Sequence, residues 1–254
     1  MSAQTLSRIE DAGLNASAPT QQRLMDGWLL RFSPGKARRS RCVNAVAAGR
    51  LPIADKLALC ESMYAEAGLP LIVRITPFSE PPGLDQALAD AGMRAISNTQ
   101  VMVLPQLTHI EPTVLARDLS VQRLGSEAFA HAIGQLRGSS LAQRQAHAQR
   151  LVHAPVPFEA HALKRGGEVL GCAQMAIEGP LVGLYDVYTA PAHRDRGLAR
   201  ALCLHLLVLA RTQGATVAYL QVDNENQPAR VLYRRLGFAD GYSYHYRTRD
   251  PSAA

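Results

Sequence analysis

The chain has 254 residues, 47% hydrophobic and 19% charged, enough for a sizeable core in one large domain or two small ones. Its net charge of +6 and pI near 9.4 favour anionic ligands, nucleic acid among them. Cys42, Cys60, Cys172 and Cys203 are scattered with no C-x-x-C pair, which argues for buried free thiols in a reducing compartment and against a metal site.

Residues 1–20 lack a basic start followed by an apolar core, so no secretory signal is evident. The most apolar stretch, residues 198–210, is too short to span a bilayer and carries Arg200 and His205. The expectation is a cytoplasmic protein with no membrane partner.

In chain order, residues up to Asp26 read as a loose or helical lead-in and 27–32 as a strand. Residues 33–41 then carry Lys36, Arg38, Arg39 and Arg41. This cluster either contacts phosphates or is a set of solvated charges around a turn at Pro34-Gly35. It has no interleaved aromatics, which counts against single-stranded nucleic acid.

Ile53, Leu57, Cys60 and Tyr64 share one helical face, with Gly68 and Pro70 as the stop. A strand is expected over 71–76, a helix around Leu84, Leu88 and Ala91 ending at Gly92, and a strand over 100–104. Residues 105–112 read as a linker, dividing the chain into domains 1–110 and 111–254. Beyond it come a strand over 119–124, helices over 128–136 and 142–152, and a hairpin of 160–164 with 169–175 turned at Gly166-Gly167. A strand over 181–189 is punctuated by Pro191. A helix marked by Leu198, Leu202, Leu206 and Leu209 runs to Gly214, and a strand over 217–222 follows.

The second half repeats the order of the first. A shift of 145 residues places Gly92-Met93 on Gly237-Phe238, Ile53 on Leu198 and Ile72 on Val217, which argues for an internal repeat. The repeat is lopsided in chemistry, because Leu88 stands where the second half has Tyr233.

Between the strand over 181–189 and the long helix lies Arg194-Asp195-Arg196-Gly197-Leu198-Ala199. The first amides of a helix are unpaired and sit at the positive end of its dipole, so this junction is suited to an anion. Gly197 would let a phosphate approach the backbone, Ala199 is small, and Arg194, Arg196 and Arg200 add charge. An ordinary helix start, with Asp195 or Gly197 near the cap, is the alternative for this hexad. Downstream, Asn226-Gln227-Pro228-Ala229-Arg230-Val231-Leu232-Tyr233-Arg234-Arg235-Leu236-Gly237-Phe238 forms a second distinctive stretch.

R-x-x-G-x-A resembles the acyl-CoA signature of the GNAT superfamily of N-acetyltransferases. The second stretch resembles that family's N-x-x-A-x-x-L-Y-x-x-x-G-F at every named position. The resemblance covers roughly the C-terminal half. It implies an α/β fold with a mixed sheet, in tandem with a degenerate N-terminal copy that lacks the cradle, since Gly49-Arg50-Leu51-Pro52 stands in its place.

It further implies acetyl-CoA as cofactor. The backbone of Val187, Tyr188 and Thr189 would lie along pantetheine, and Arg194, Asp195, Arg196, Gly197, Leu198, Ala199 and Arg200 would hold the pyrophosphate. Asn226 would cap its helix and touch pantetheine. Tyr233 would be the general acid for the leaving thiolate, or else a core aromatic. Asp186 is either the general base, through a water, or a structural ion-pair partner. His131, His147, His153 and His161 either line the acceptor pocket or are surface and packing residues.

The expected activity is acetyl transfer to a primary amine of a small molecule or protein. The competing classes are a non-catalytic acyl-CoA-binding module and a nucleic-acid binder using Arg38, Arg39 and Arg41.

Overall fold

The structure, a computed structural model, describes residues 1–35 and 37–250. Lys36 of the basic cluster lies outside the described residues. By residue contacts the chain forms two compact units. Among the described residues, an N-terminal unit holds Ser17–Gln100, Asp223–Glu225 and 242–250; a C-terminal unit holds Met1–Ala16, Val101–Val222 and Asn226–Gly241. The division is therefore not a single cut near residue 110. The first helix groups with the second half of the chain, and the last strand with the first half.

In the N-terminal unit, β1 (Gln21–Met25) and β2 (Trp28–Phe32) form a hairpin. Its two-residue turn, Asp26-Gly27, has positive φ at both positions (43° and 83°), the conformation that matches the right-handed twist of paired strands. The strand at 28–32 is as expected, but its antiparallel partner falls within the supposed lead-in. That segment also holds α1 (Ala3–Ala16), which belongs to the C-terminal unit. β3 (Val43–Ala45) runs antiparallel to β2 and parallel to β4 (Ile72–Ile75).

The β3-to-β4 connection is α2 (Ile53–Glu66), whose Leu57, Cys60 and Tyr64 are buried. α3 (Leu84–Asp90) follows β4, and the long β5 (Arg94–Leu104) begins directly after. Strand order in this unit is β1-β2-β3-β4-β11, with β11 (Ala239–Thr248) antiparallel to β4 through His245↔Ile75 to Thr248↔Ile72. Trp28, Leu30, Val43, Tyr64, Val73 and Leu88 lie in its core.

In the C-terminal unit β6 (Leu119–Leu124), β7 (Phe158–Arg165), β8 (Glu168–Glu178) and β9 (Leu181–Thr189) are successively antiparallel. The β7–β8 loop is the expected Gly166-Gly167 turn. β9 is parallel to β10 (Val217–Asp223) and joined to it by α6 (Leu198–Thr212), so the sheet is mixed, with order β5-β10-β9-β8-β7-β6.

One face of that sheet carries α6, whose Leu198, Leu202, Cys203, Leu206, Leu207 and Ala210 pack on Leu170, Met175, Val182 and Leu220. The other face carries α4 (Ser126–Leu136) and α5 (Leu141–Val152), with Phe129, Ile133 and Leu151 over Ala160, Ala162 and Cys172. α5 starts in a capping box of Ser140 and Gln143, which satisfies two otherwise orphaned amides. α7 (Gln227–Arg235) follows β10.

The expected linker is not a loose connector. Leu107 and Ile110 are buried in the core of the C-terminal unit, and Arg211 Nη1 donates to the carbonyls of Leu107, Thr108 and Ile110 at 3.3, 3.1 and 2.8 Å. All four cysteines are buried and free. No helix among the described residues is long and apolar enough to cross a membrane.

The 145-residue offset holds at element boundaries. α2, β4 and β5 begin at residues 53, 72 and 94, and α6, β10 and β11 at 198, 217 and 239. Each half thus places a helix between two parallel strands and follows it with a short helix and a long strand.

Candidate active site

The site is built around a break in β9. Gln174 faces Tyr185 across β8 and β9, but Cys172 faces Tyr188, so one extra residue is accommodated at Asp186 and Val187. This is a β-bulge, and Asp186 takes φ +51° to make it. A left-handed conformation at a non-glycine residue costs roughly 1–2 kcal/mol and must be held by its surroundings. The parallel pairing of β9 with β10 runs from Leu181↔Val217 to Leu184↔Leu220. Val187, Tyr188 and Thr189 lie beyond its end, which leaves their backbone on that edge free for an extended ligand.

Immediately after β9, Pro191–His193 form a 3-10 turn, and Arg194, Asp195 and Arg196 lead to Gly197 at the N-cap of α6. Asp195 and Gly197 have φ +61° and +73°. No side chain caps α6, and the first amide bonded back to the cap is that of Ala201, to Gly197 O at 3.0 Å. A Cβ on Gly197 would meet nothing within 4 Å, so the space beside it is open.

Arg194, Asp195, Arg196 and Arg200 are exposed, Ala199 is half-buried, and Leu198 sends its side chain into the core, leaving only its amide to the loop. Uncapped amides, the helix dipole and three arginines together suit a pyrophosphate. His193 Nε2 pairs with Glu168 Oε1 at 2.9 Å and ties the turn to β8.

The carboxylate of Asp186 is fully engaged. Oδ1 accepts from Arg137 Nη1 at 2.9 Å, Oδ2 accepts from Gln174 Nε2 at 2.7 Å, and His147 Nε2 lies 3.3 Å from Oδ2. Burial alone would push this carboxyl up. The bond from His147 and the charges of Arg137, His147 and Arg150 outweigh it and hold the group far below the usual carboxylate range. Such a group is a weak proton acceptor, so the environment of Asp186 suits an ion-pair anchor and not a general base. Arg137 is also seated over the Tyr188 ring, 5.3 Å from its centroid, and Arg194 lies 5.8 Å from the same ring.

Tyr233 sits in the core below α6, 8% exposed, with Phe238 at 6.0 Å between ring centroids. Burial raises its phenol well above the ordinary value, with a smaller contribution from Cys203. Asn226 caps α7, its Oδ1 accepting from Ala229 N at 3.3 Å.

Of the four candidate histidines, His147 joins the Asp186 cluster. His131 is exposed, and His153 Nδ1 lies 2.8 Å from Gln149 O within its own helix. His161 is on the α6 face, paired with Glu159 at 3.2 Å, and its ring is tilted against that of His205 with centroids 4.9 Å apart. Arg38, Arg39 and Arg41 are half-buried around a 3-10 turn, and Arg38 Nη1 donates to Ser97 at 2.7 Å, so they do not form a projecting basic patch. Sequence reasoning missed Arg137 and Gln174. Arg137 is the C-cap residue of α4, a position with no chemical signature of its own, and Gln174 lies within an apolar strand.

The model of the Acetyltransferase (GNAT) family matches residues 144–238. The uncharacterized N-acetyltransferase YobR of Bacillus subtilis (strain 168) is 25% identical over 235 residues, spanning 90% of this chain and 92% of that protein. Among solved structures, a GCN5-related N-acetyltransferase from Kribbella flavida superposes with a TM-score of 0.71 at 17% identity, over 96% of this chain and 95% of that one. A tandem GNAT protein from the clavulanic acid biosynthesis pathway gives 0.63 at 15% identity, over 81% and 72%.

Proposed function

Because the chain belongs to the GNAT family of acetyltransferases, we propose that its C-terminal unit transfers an acetyl group from acetyl-CoA to a primary amine. The observation that carries this reading is the uncapped N-terminus of α6 standing directly after the bulged end of β9. A phosphate-binding helix end and an uncommitted strand edge are thereby offered to the two parts of one elongated ligand. When bound, acetyl-CoA supplies an activated thioester.

The chain's own residues would do the rest. Amides of Asp195, Arg196, Gly197, Leu198, Ala199 and Arg200, with the three arginines, hold the diphosphate. The backbone of Val187, Tyr188 and Thr189 aligns the pantetheine, and an amide there polarises the carbonyl oxygen. Tyr233, kept protonated by burial, holds a proton for the departing sulfur. Asp186 positions Arg137 and His147. The cations around it lower the pKa of an incoming ammonium, which reduces the demand for a strong base.

The N-terminal unit is read as a degenerate copy without a cofactor site, and Asp26 supplies a physical reason. The 145-residue offset sets Arg50 and Leu51 against Asp195 and Arg196. In the N-terminal unit those amides are already taken: Arg50 N donates to the Asp26 carboxylate at 2.8 and 3.0 Å, and Leu51 N at 2.9 Å. Lys56, wholly buried, pairs with the same carboxylate at 3.0 Å and donates to the carbonyls of Asp26 and Ala48. An internal anion occupies the place a phosphate would need. Calorimetry should therefore give one coenzyme A per chain. A stoichiometry of two would overturn the single-site reading, and no binding would overturn the assignment of an acetyl-CoA site.

A further inference from the structure

Acceptor choice in an acyl transferase is set by the charges beside the point of attack. Here that neighbourhood is the face of the β9 bulge that Asp186 presents to α4 and α5. Many amine acceptors are polycations and need unneutralised carboxylates to hold them. This face has a carboxylate, Asp186, but its oxygens are taken by Arg137, Gln174 and His147. The charges acting on it from α4 and α5 are those of Arg137, His147 and Arg150.

Arg137 differs from an ordinary surface arginine. It is fixed at two points, by Asp186 Oδ1 through Nη1 and by the Tyr188 ring under its guanidinium, and it is still 35% exposed. Among the described residues the bond to Asp186 is the one hydrogen bond its side chain makes. A guanidinium carries five donors in a rigid fork. Fixing one edge leaves the remaining donors held in a set direction, next to Tyr188, the first paired residue after the bulge. Such a group is preorganised to accept a second planar or tetrahedral anion at little cost in side-chain entropy.

Resting on the acetyltransferase reading above, we infer that the acceptor is an amine bearing its own anionic group, a carboxylate or a phosphate, which Arg137 reads while the amine faces the thioester. Polycationic acceptors are disfavoured by the same residue. Asp186 serves as the positioning residue that holds Arg137 in place, and Arg137 is the specificity determinant.

The test uses the full-length protein with acetyl-CoA, following thiol release. α-Amino acids are paired with their carboxamides and phosphoethanolamine with ethanolamine, and spermidine and an aminoglycoside supply the cationic arm. The wild type should prefer the anion-bearing member of a pair by about 10- to 100-fold in kcat/KM, the range one charge-assisted hydrogen bond supplies. The two anionic arms separate a carboxylate from a phosphate reader.

Arg137→Gln should erase the preference through KM, and Arg137→Lys should keep part of it. Since Arg137→Gln leaves Asp186 Oδ1 without its cationic partner, the double variant Arg137→Gln/Asp186→Asn is measured alongside. In each variant, calorimetric titration with coenzyme A reports whether the donor site is still formed. If no amine in the panel turns over, the same pairs are titrated into the coenzyme A-loaded protein, and equal affinities overturn the inference. So do equal kcat/KM values within the pairs, better use of spermidine or the aminoglycoside, or a preference that survives both Gln variants. A protein that binds no coenzyme A refutes the acetyltransferase reading itself, a result distinct from acetylation without anion preference.

Discussion

Replacing Tyr233 by Phe separates the two roles that residue could have, and the structure sets the size of each effect. The ring is 8% exposed and packs in the core with Phe238. Phe keeps that packing. None of the hydrogen bonds found among the described residues involves the Tyr233 hydroxyl, so its removal orphans no buried partner. Stability should therefore stay within about 0.5 kcal/mol of the wild type by urea denaturation. Coenzyme A affinity should hold as well.

Burial raises the phenol, so Tyr233 is protonated throughout the neutral range and contributes no basic limb of its own there. What Phe removes is one proton donor at the leaving sulfur. General acid catalysis is worth roughly 10²–10⁴-fold, or about 2.7–5.4 kcal/mol of barrier. The measurement is a single-turnover acetyl transfer, which isolates the chemical step from product release. A drop of that size with an unchanged KM for acetyl-CoA is expected. If the single-turnover rate is unaffected, Tyr233 is only a core aromatic. If affinity falls while turnover holds, its hydroxyl serves binding.

Gly197→Val should weaken coenzyme A binding at least about tenfold by calorimetry, because the side chain would enter the open space a phosphate needs and strain a backbone at φ +73°. Gly68→Val is the matched comparison, with φ +64° and no neighbour within 4 Å of its Cβ; it should lose similar stability and no affinity, and equal affinities in the two variants would remove the cradle. Gly49 cannot serve as that comparison, since a Cβ there would overlap the Asp26 carbonyl oxygen and Lys56 Nζ. For Asp26, the amides of Leu51 and Arg50 hold the carboxyl below its ordinary value. A depressed folded pKa means that its contribution is complete above the unfolded value, about 3.9, and is lost as pH falls through the folded one. Asp26→Asn should therefore lower the melting temperature at pH 7, with a gap to the wild type that closes as pH falls below about 4; a gap independent of pH would show that the carboxylate's charge does not matter.

Much of this protein is determined by short-range pattern alone. The leucine spacing after Gly197 makes α6, the Gly166-Gly167 pair makes the β7–β8 hairpin, and Asn226 caps α7. Periodicity, turn chemistry and capping act within a few residues, so a sequence carries them in the open. The pairings that define the site do not work that way. Arg137 reaches Asp186 across 49 positions, and Asp26 reaches the amides of Arg50 and Leu51 across 24 and 25.

Which side chains meet depends on sheet register, where a slip of one residue turns every side chain to the other face. The bulge at Asp186 is such a local slip, and it places that carboxylate with Arg137 and His147. The grouping of α1 with the C-terminal unit and of residues 242–250 with the N-terminal unit is likewise a matter of long-range pairing. A strand can take any compatible free edge, and its own alternation records only that one face is buried. Tertiary packing alone selected the partner.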